Sequence, residues 1–204
     1  LGVNRFYEYL NGFGLGKPTG VDIPGEAGGI VIPEASCKRV DIARIGFGQS
    51  IAVTPIQLLN AACAAINGGN LMKPYVVQQI TSPEGEVVEQ ARPQVVANPI
   101  SEKTSDMLRG MLQLVVEEGG GKNARIKGYT VGGKTGTAQL YVDGVVSSST
   151  HIGSFLGFAP VEDPEVAVLV IVDEAEKRPD FGSVTAAPFA RDILQQTLQY
   201  LGYA

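Results

Sequence analysis

The stretch from Tyr129 to Val172 constrains the fold more than any other part of the chain. TAQLYV and VVSS flank Asp143-Gly144, a two-residue turn signal whose positions tolerate the positive φ that a tight hairpin demands. SFLGFAP and EVAVLVIV flank Val161-Glu162-Asp163. Connections this short cannot carry a parallel crossover, so consecutive segments must pair antiparallel. A helix from about Ala186 to Leu201 follows, with Ala190, Ile193, Leu194, Thr197, Leu198 and Leu201 on one stripe, suited to covering a sheet face.

The first half reads differently. Asn4 to Leu10 predicts a short helix stopped by Gly12 and Gly14, and the Gly/Pro-rich segment 14–29 predicts a loop. Thr54-Pro55-Ile56-Gln57 is the strongest helix start, with an N-cap, a proline at the first helical position and a capping-box glutamine. That helix should run through LLNAACAAI, stop at Asn67-Gly68-Gly69 with a left-handed cap, and be buried, being apolar nearly all round. YVVQQITS and EVVEQA, joined through Pro83-Glu84-Gly85, predict a hairpin. A second helix is expected from near Ser101 to Gly119, with Met107, Leu108, Met111, Leu112 and Val115 at helical spacing. Helices first, then consecutive antiparallel strands, then a packing helix define an α+β fold. The expected architecture is an antiparallel sheet with the C-terminal helix on one face and a helical subdomain on the other, residues 1–124 being mainly helical and 125–204 carrying the sheet and last helix.

Composition narrows the function. A chain of 204 residues with 44% hydrophobic and 18% charged residues can bury enough surface to order itself. Its 16 basic against 21 acidic residues give a net charge of -5, which with no basic cluster beyond Lys38-Arg39 argues against a nucleic-acid partner. The longest aliphatic run, Val166 to Val172, falls far short of the ~20 residues of a spanning helix, so no membrane contact is expected from these residues. Cys37 and Cys63 are too few for a disulfide scaffold or a cysteine-based metal site, and Cys63 reads as a small core residue. No cofactor and no metal are expected. The chain opens on Leu1 and reads as a piece of a longer protein.

Two motifs overlap at Lys134. From Gly128 to Thr135 the sequence fits the phosphate loop G-x-x-x-x-G-K-[ST], with VLVIVDE (168–174) downstream like a magnesium-holding strand. Such a loop needs a strand before it and a helix after it, whereas KNARIKG precedes and an alternating strand pattern follows. The competing motif is Lys134-Thr135-Gly136-Thr137, the K-T-G element of serine penicillin-recognising enzymes. On an edge strand, Lys134 supplies positive charge, and Thr135 and Thr137 offer hydroxyls to a substrate carboxylate. Gly136 leaves room for a ligand against the backbone, and the Thr137 N–H can serve as half of an oxyanion hole.

Longer stretches set this motif in a wider frame: FGLGKPTGVDIPGEAGG (13–29), IGFGQSIAVTPIQLLNAACAAINGGNLMKPYVV (45–77), GYTVGGKTGTAQ (128–139) and HIGSFLGFAPVEDPE (151–165), in that order. Together they resemble the transpeptidase domain of class B penicillin-binding proteins, nearest to sporulation-type and cell-division members. The resemblance implies a D,D-transpeptidase that acts outside the cytoplasm from a membrane anchor, takes the D-Ala-D-Ala end of peptidoglycan stem peptides, is acylated by β-lactams and works with other cell-wall synthesis proteins. It implies substrate binding by Lys134, Thr135, Gly136 and Thr137, with Lys134 and the Thr137 amide catalytic.

One feature of that family is absent. Its nucleophile stands in Ser-x-x-Lys and a second motif is Ser-x-Asn, yet no serine here has Lys three places on or Asn two places on. The chain is therefore expected to hold one of three active-site motifs and to be inactive alone, its nucleophile coming from preceding sequence. A non-catalytic binding or scaffold module is the alternative, and a nucleotidase using Gly128–Thr135 a remote one. His151, the single histidine, is expected at the end of a strand beside the sheet. Asp173, Glu174 and Glu176 read as a solvated strand end. Asp22 and Glu26 sit in the Gly/Pro loop without an evident chemical task. Ser50 lacks the second glycine of a nucleophile elbow, and Ser154 has no base near it in sequence.

Overall fold

The computed structural model describes residues 1–142, 145–176 and 179–203, so the expected Asp143-Gly144 turn lies outside the described residues. The chain divides into two compact units, Leu1–Glu102 and Lys103–Ala204.

In the first unit, α1 (Val3–Gly12), α2 (Arg39–Ile45) and α3 (Pro55–Ile66) are followed by β1 (Leu71–Met72), β2 (Gln79–Thr81), β3 (Val87–Gln90) and β4 (Val95–Ala97). The hairpin foreseen around Pro83-Glu84-Gly85 is β2–β3, paired Gln79 to Gln90. The β1–β4 pair was not foreseen, being two and three residues long. Nor was α2, a seven-residue helix whose start is set by Lys38 N–H donating to Asp41 at 2.9 Å.

The capping box of α3 forms as expected, Gln57 N–H donating to Thr54 Oγ1 at 3.2 Å and Thr54 N–H to Gln57 Oε1 at 3.0 Å. Gly68 and Gly69 close the helix at φ +87° and +89°. Full burial is corrected: Gln57, Ala61, Ala64 and Ile66 are buried, while Leu58 stays 38% exposed. Gln57 does more than cap. Its amide also donates to Lys17 O at 2.5 Å and Gly28 O at 3.0 Å, tying both ends of the 14–29 loop to the helix start. At Gly29 a Cβ would lie 2.5 Å from Ala52 O, so the loop enters the isolated Ile30–Ala52 bridge without space for a side chain.

Asp22 and Glu26 have structural tasks in the same loop. Glu26 accepts from Thr19 N and Oγ1, both at 2.6 Å, and from Gly20 N at 2.9 Å. Desolvation pushes its carboxyl up, but these donors together outweigh that and hold it below the usual range. Asp22 accepts from Val76 N and Val77 N, each at 2.8 Å, and these two amides lower its carboxyl below 3.8. An ionised Asp22 therefore favours the folded chain at pH 7, and that contribution disappears as pH falls through the lowered folded value. Asp22→Asn should reduce the urea midpoint more at neutral pH than at about pH 2, where protonation of Asp22 diminishes the difference. An equal loss at both pH values would show that charge plays no part.

The second unit holds α4 (Glu102–Glu117) from Lys103 onward, then β5 (Gly132–Val142), β6 (Val145–Ala159), β7 (Val166–Asp173), α5 (Gly182–Thr185) and α6 (Ala187–Tyr200). The sheet is antiparallel, ordered β5-β6-β7. VVSS and SFLGFAP, read as two strands, form one 15-residue central strand that pairs on both sides. His151 consequently lies inside β6, opposite Gln139, and not at a strand end. A strand this long escapes sequence reading because Ser147 to Thr150 break its apolar alternation.

Strand alternation sorts β6 into two faces. Phe155 and Gly157 meet α6, where Ala187, Ala190, Leu194 and Leu198 are buried. Ile193 and Leu201, expected in that stripe, are 47% and 51% exposed, so the covering contact is narrower than the apolar pattern. Along α4, Ser105 and Val116 are buried whereas Met107 and Met111 are 55% and 56% exposed. The helical spacing is right, but it does not say which side of a broadly apolar helix will be covered.

Candidate active site

Lys134 to Thr137 lie in β5, which has β6 on one side and, among the described residues, no strand on the other. The orientation of its amides can be read from Gly182. A Cβ there would come 2.1 Å from Ser154 O, 2.7 Å from Ser154 N and 2.4 Å from Gly136 O. These atoms of facing strands therefore converge, which makes Gly136 and Ser154 a hydrogen-bonded pair. In an antiparallel ladder the residues on either side of such a pair turn their N–H and C=O groups away from it. Thr135 and Thr137 thus aim backbone donors at the open edge. Lys134 reports the same geometry, its Nζ donating to Thr135 O at 2.7 Å.

Lys134 and Thr137 are exposed, Thr135 and Gly136 half-buried. By alternation Lys134 and Gly136 share one face with Ser154, whose hydroxyl would be 2.4 Å from a Cβ at position 136. Thr135 and Thr137 share the other face with Gly153 and Phe155. There the Thr137 Oγ1 accepts from Gly182 N at 3.4 Å, which leaves its own O–H free to donate. The arrangement joins a fixed cation, a hydroxyl donor and outward amides along a few residues of one edge, a set suited to an anionic group bound next to a carbonyl.

Behind this strand, the segment leading into α5 crosses the sheet at contact distance. A Cβ on Gly153 would sit 2.4 Å from Thr185 Oγ1, 3.0 Å from Asp180 O and 3.2 Å from Gly182 Cα. Asp180, 4% exposed, holds His151 Nδ1 at 3.0 Å. Sequence reading named His151 but missed its partner, because the two residues are 29 apart and no motif links them.

Asp173 ends β7. Cys63 is partly buried, and burial pushes its thiol up. Ser50 is an exposed residue at φ 60°. The phosphate-loop reading is overturned: Lys134 and Thr135 lie in mid-strand, and β5 continues to Val142 where that motif requires a helix.

An antiparallel sheet with Lys-Thr-Gly-Thr along its open edge and a C-terminal helix behind it is the framework of the penicillin-recognising class. Comparison with known proteins gives the family. The chain matches the penicillin binding protein transpeptidase domain over residues 1–195, and belongs to that family. It is 42% identical over 203 residues to stage V sporulation protein D of Bacillus subtilis, covering 99% of this chain and 31% of the relative. Against penicillin-binding protein PbpB of Mycolicibacterium smegmatis, identity is 32%, with 98% of this chain and 32% of the relative covered. Among solved structures it is similar to penicillin-binding protein 3 of Mycobacterium tuberculosis complexed with ampicillin, at TM-score 0.90 and 30% identity, over 98% of this chain and 46% of that one. The apo transpeptidase domain of Burkholderia pseudomallei penicillin-binding protein 3 follows at TM-score 0.85 and 30% identity, with 98% and 58% covered. The chain thus spans about a third of the curated relatives it matches.

Proposed function

We propose that these residues are the C-terminal portion of a peptidoglycan D,D-transpeptidase, and that they supply the carboxylate-binding and oxyanion side of its active site. The observation that carries this reading is the edge strand, whose Thr135 and Thr137 amides face outward beside the Lys134 ammonium. In the proposed reaction, a serine from preceding sequence attacks the penultimate D-Ala carbonyl of a stem peptide. The terminal D-Ala leaves, and the amine of a second stem peptide then takes the acyl group. Lys134 and the Thr135 hydroxyl hold the terminal carboxylate. Thr137 adds its hydroxyl and directs its N–H at the carbonyl oxygen as negative charge develops. A β-lactam enters by the same contacts and stays as a seryl ester.

The proposed setting is the outer face of the cell membrane, with the anchor in sequence outside this chain and with cell-wall synthesis proteins as partners. Similarity to stage V sporulation protein D favours a sporulation-type role. The test is incubation of this chain and of the full-length protein with a fluorescent penicillin, read by intact mass. A covalent adduct on the full-length protein alone is expected. No adduct on either would replace the enzyme by a non-catalytic binding module, and an adduct on the isolated chain would place the nucleophile within these residues.

A further inference from the structure

We infer that His151 and Asp180 are a positioning pair for the Lys-Thr-Gly-Thr strand: together they latch the segment entering α5 against the back of β5 and so fix the hydroxyl and outward amide of Thr137. The inference rests on the transpeptidase reading above and adds to it two residues that touch no substrate.

The latch is a continuous path. His151 projects from the same face of β6 as Gly153, two residues along. Its Nδ1 meets Asp180 Oδ2 at 3.0 Å, with 19% and 6% of the two side chains exposed. An ionised carboxylate can only accept, so with Asp180 ionised the proton of this bond is on Nδ1. A carboxylate this buried is costly without a donor, so the bond ties the position of residue 180 to β6. From Asp180 the backbone passes directly over Gly153, its carbonyl 3.0 Å from where a Cβ at 153 would stand. Two residues later Gly182 N–H reaches Thr137 Oγ1 at 3.4 Å. That contact occupies one acceptor site of the hydroxyl and leaves its proton to donate elsewhere.

The crossing has little freedom elsewhere. Gly153 and Gly182 each have backbone or hydroxyl oxygen where a Cβ would go, so the segment cannot tilt toward the sheet. Against lifting away it is held by the His151–Asp180 bond on one side and by Asn123 Nδ2 donating to Ser183 O at 2.8 Å on the other. Releasing the latch should therefore loosen the Thr137 hydroxyl and amide together. Both act on the acylation step more than on initial binding, for which Lys134 remains in place.

The test uses the full-length protein and a concentration series of a chromogenic cephalosporin, which separates the acylation rate constant from the half-saturating concentration. His151→Ala and Asp180→Asn are each expected to lower the rate constant about 10-fold, with the half-saturating concentration within about 3-fold. His151→Asn, which keeps a donor near the Nδ1 position, should restore the rate constant to within about 3-fold of the unsubstituted protein. Amide exchange at Gly182 should accelerate in His151→Ala and recover in His151→Asn, a readout that does not depend on catalysis. Unsubstituted protein that is acylated, alongside variants that lose thermal stability but keep both the rate constant and Gly182 protection, would overturn the latch alone. Failure of the unsubstituted protein to acylate would overturn the proposed function and the catalytic meaning of the latch with it.

Discussion

Replacing Lys134 by alanine in the full-length protein is expected to slow acylation by benzylpenicillin about 10²–10³-fold, the magnitude typical of removing one electrostatic contact from a preorganised site. The side chain is exposed and its ammonium donates to Thr135 O within the strand itself. Its loss leaves no cavity, so stability should change by no more than about 0.5 kcal/mol. A large rate effect beside a small stability effect is what distinguishes a substrate contact from a solvated lysine on a hairpin. Lys134→Arg keeps the charge but replaces a compact ammonium by a wider planar group, and should fall between the two. An unchanged acylation rate in Lys134→Ala would remove this strand from the active site.

The largest stability effects are expected immediately before the motif, at Gly132 and Gly133. Their alternation lays them against different rings. A Cβ at 132 would come 2.2 Å from the Phe158 Cζ, while one at 133 would come 2.4 Å from the Phe155 Cζ and 2.7 Å from Leu156 O. Both phenylalanines are fully buried, so neither ring can move without disturbing packed neighbours. Each glycine-to-alanine change should destabilise by about 3 kcal/mol, the upper part of the range for overpacking. The two differ in how they can be relieved. At 132 all three nearest atoms belong to the Phe158 ring. Gly132→Ala combined with Phe158→Leu should therefore be less damaging than the sum of the single changes, by about 1 kcal/mol or more. At 133 the Leu156 carbonyl remains after the ring is trimmed, so Phe155→Leu should give Gly133→Ala little relief. Urea unfolding of the four single and two double variants decides it. Additive costs at 132 would mean that the glycine is needed for something other than the ring.

These glycines mark where sequence reading stops. The two glycines preceding Lys134 were legible only as part of a phosphate-loop pattern or a family signature. The tertiary structure explains them by rings that arrive from β6, more than 20 residues later, because a residue's need for an absent side chain is set by what packs on it. The acids of the Gly/Pro loop behave likewise. Asp22 and Glu26 looked idle because their partners are backbone amides, which have no signature in sequence, and for Asp22 they lie 54 and 55 residues away.

The residues by themselves determined what depends on local backbone preference and on periodicity. The capped start of α3, its left-handed glycine stop, the antiparallel order of β5 to β7 and the α+β class all follow from interactions within a few positions or from connections too short for a crossover. Lys134 to Thr137 were legible for the same reason, since all four lie next to one another on one strand. Only the tertiary structure decided which faces are covered. Met107, Met111 and Ile193 have helical spacing yet stay exposed, because periodicity defines a face without naming the neighbour that will cover it. It alone also decided that Gly136 pairs with Ser154 and so turns the Thr135 and Thr137 amides outward, and that Asp180 returns across 29 residues to His151. Strand register and side-chain pairing over such separations come from packing the whole sheet against α5 and α6, not from the order of residues along any one segment.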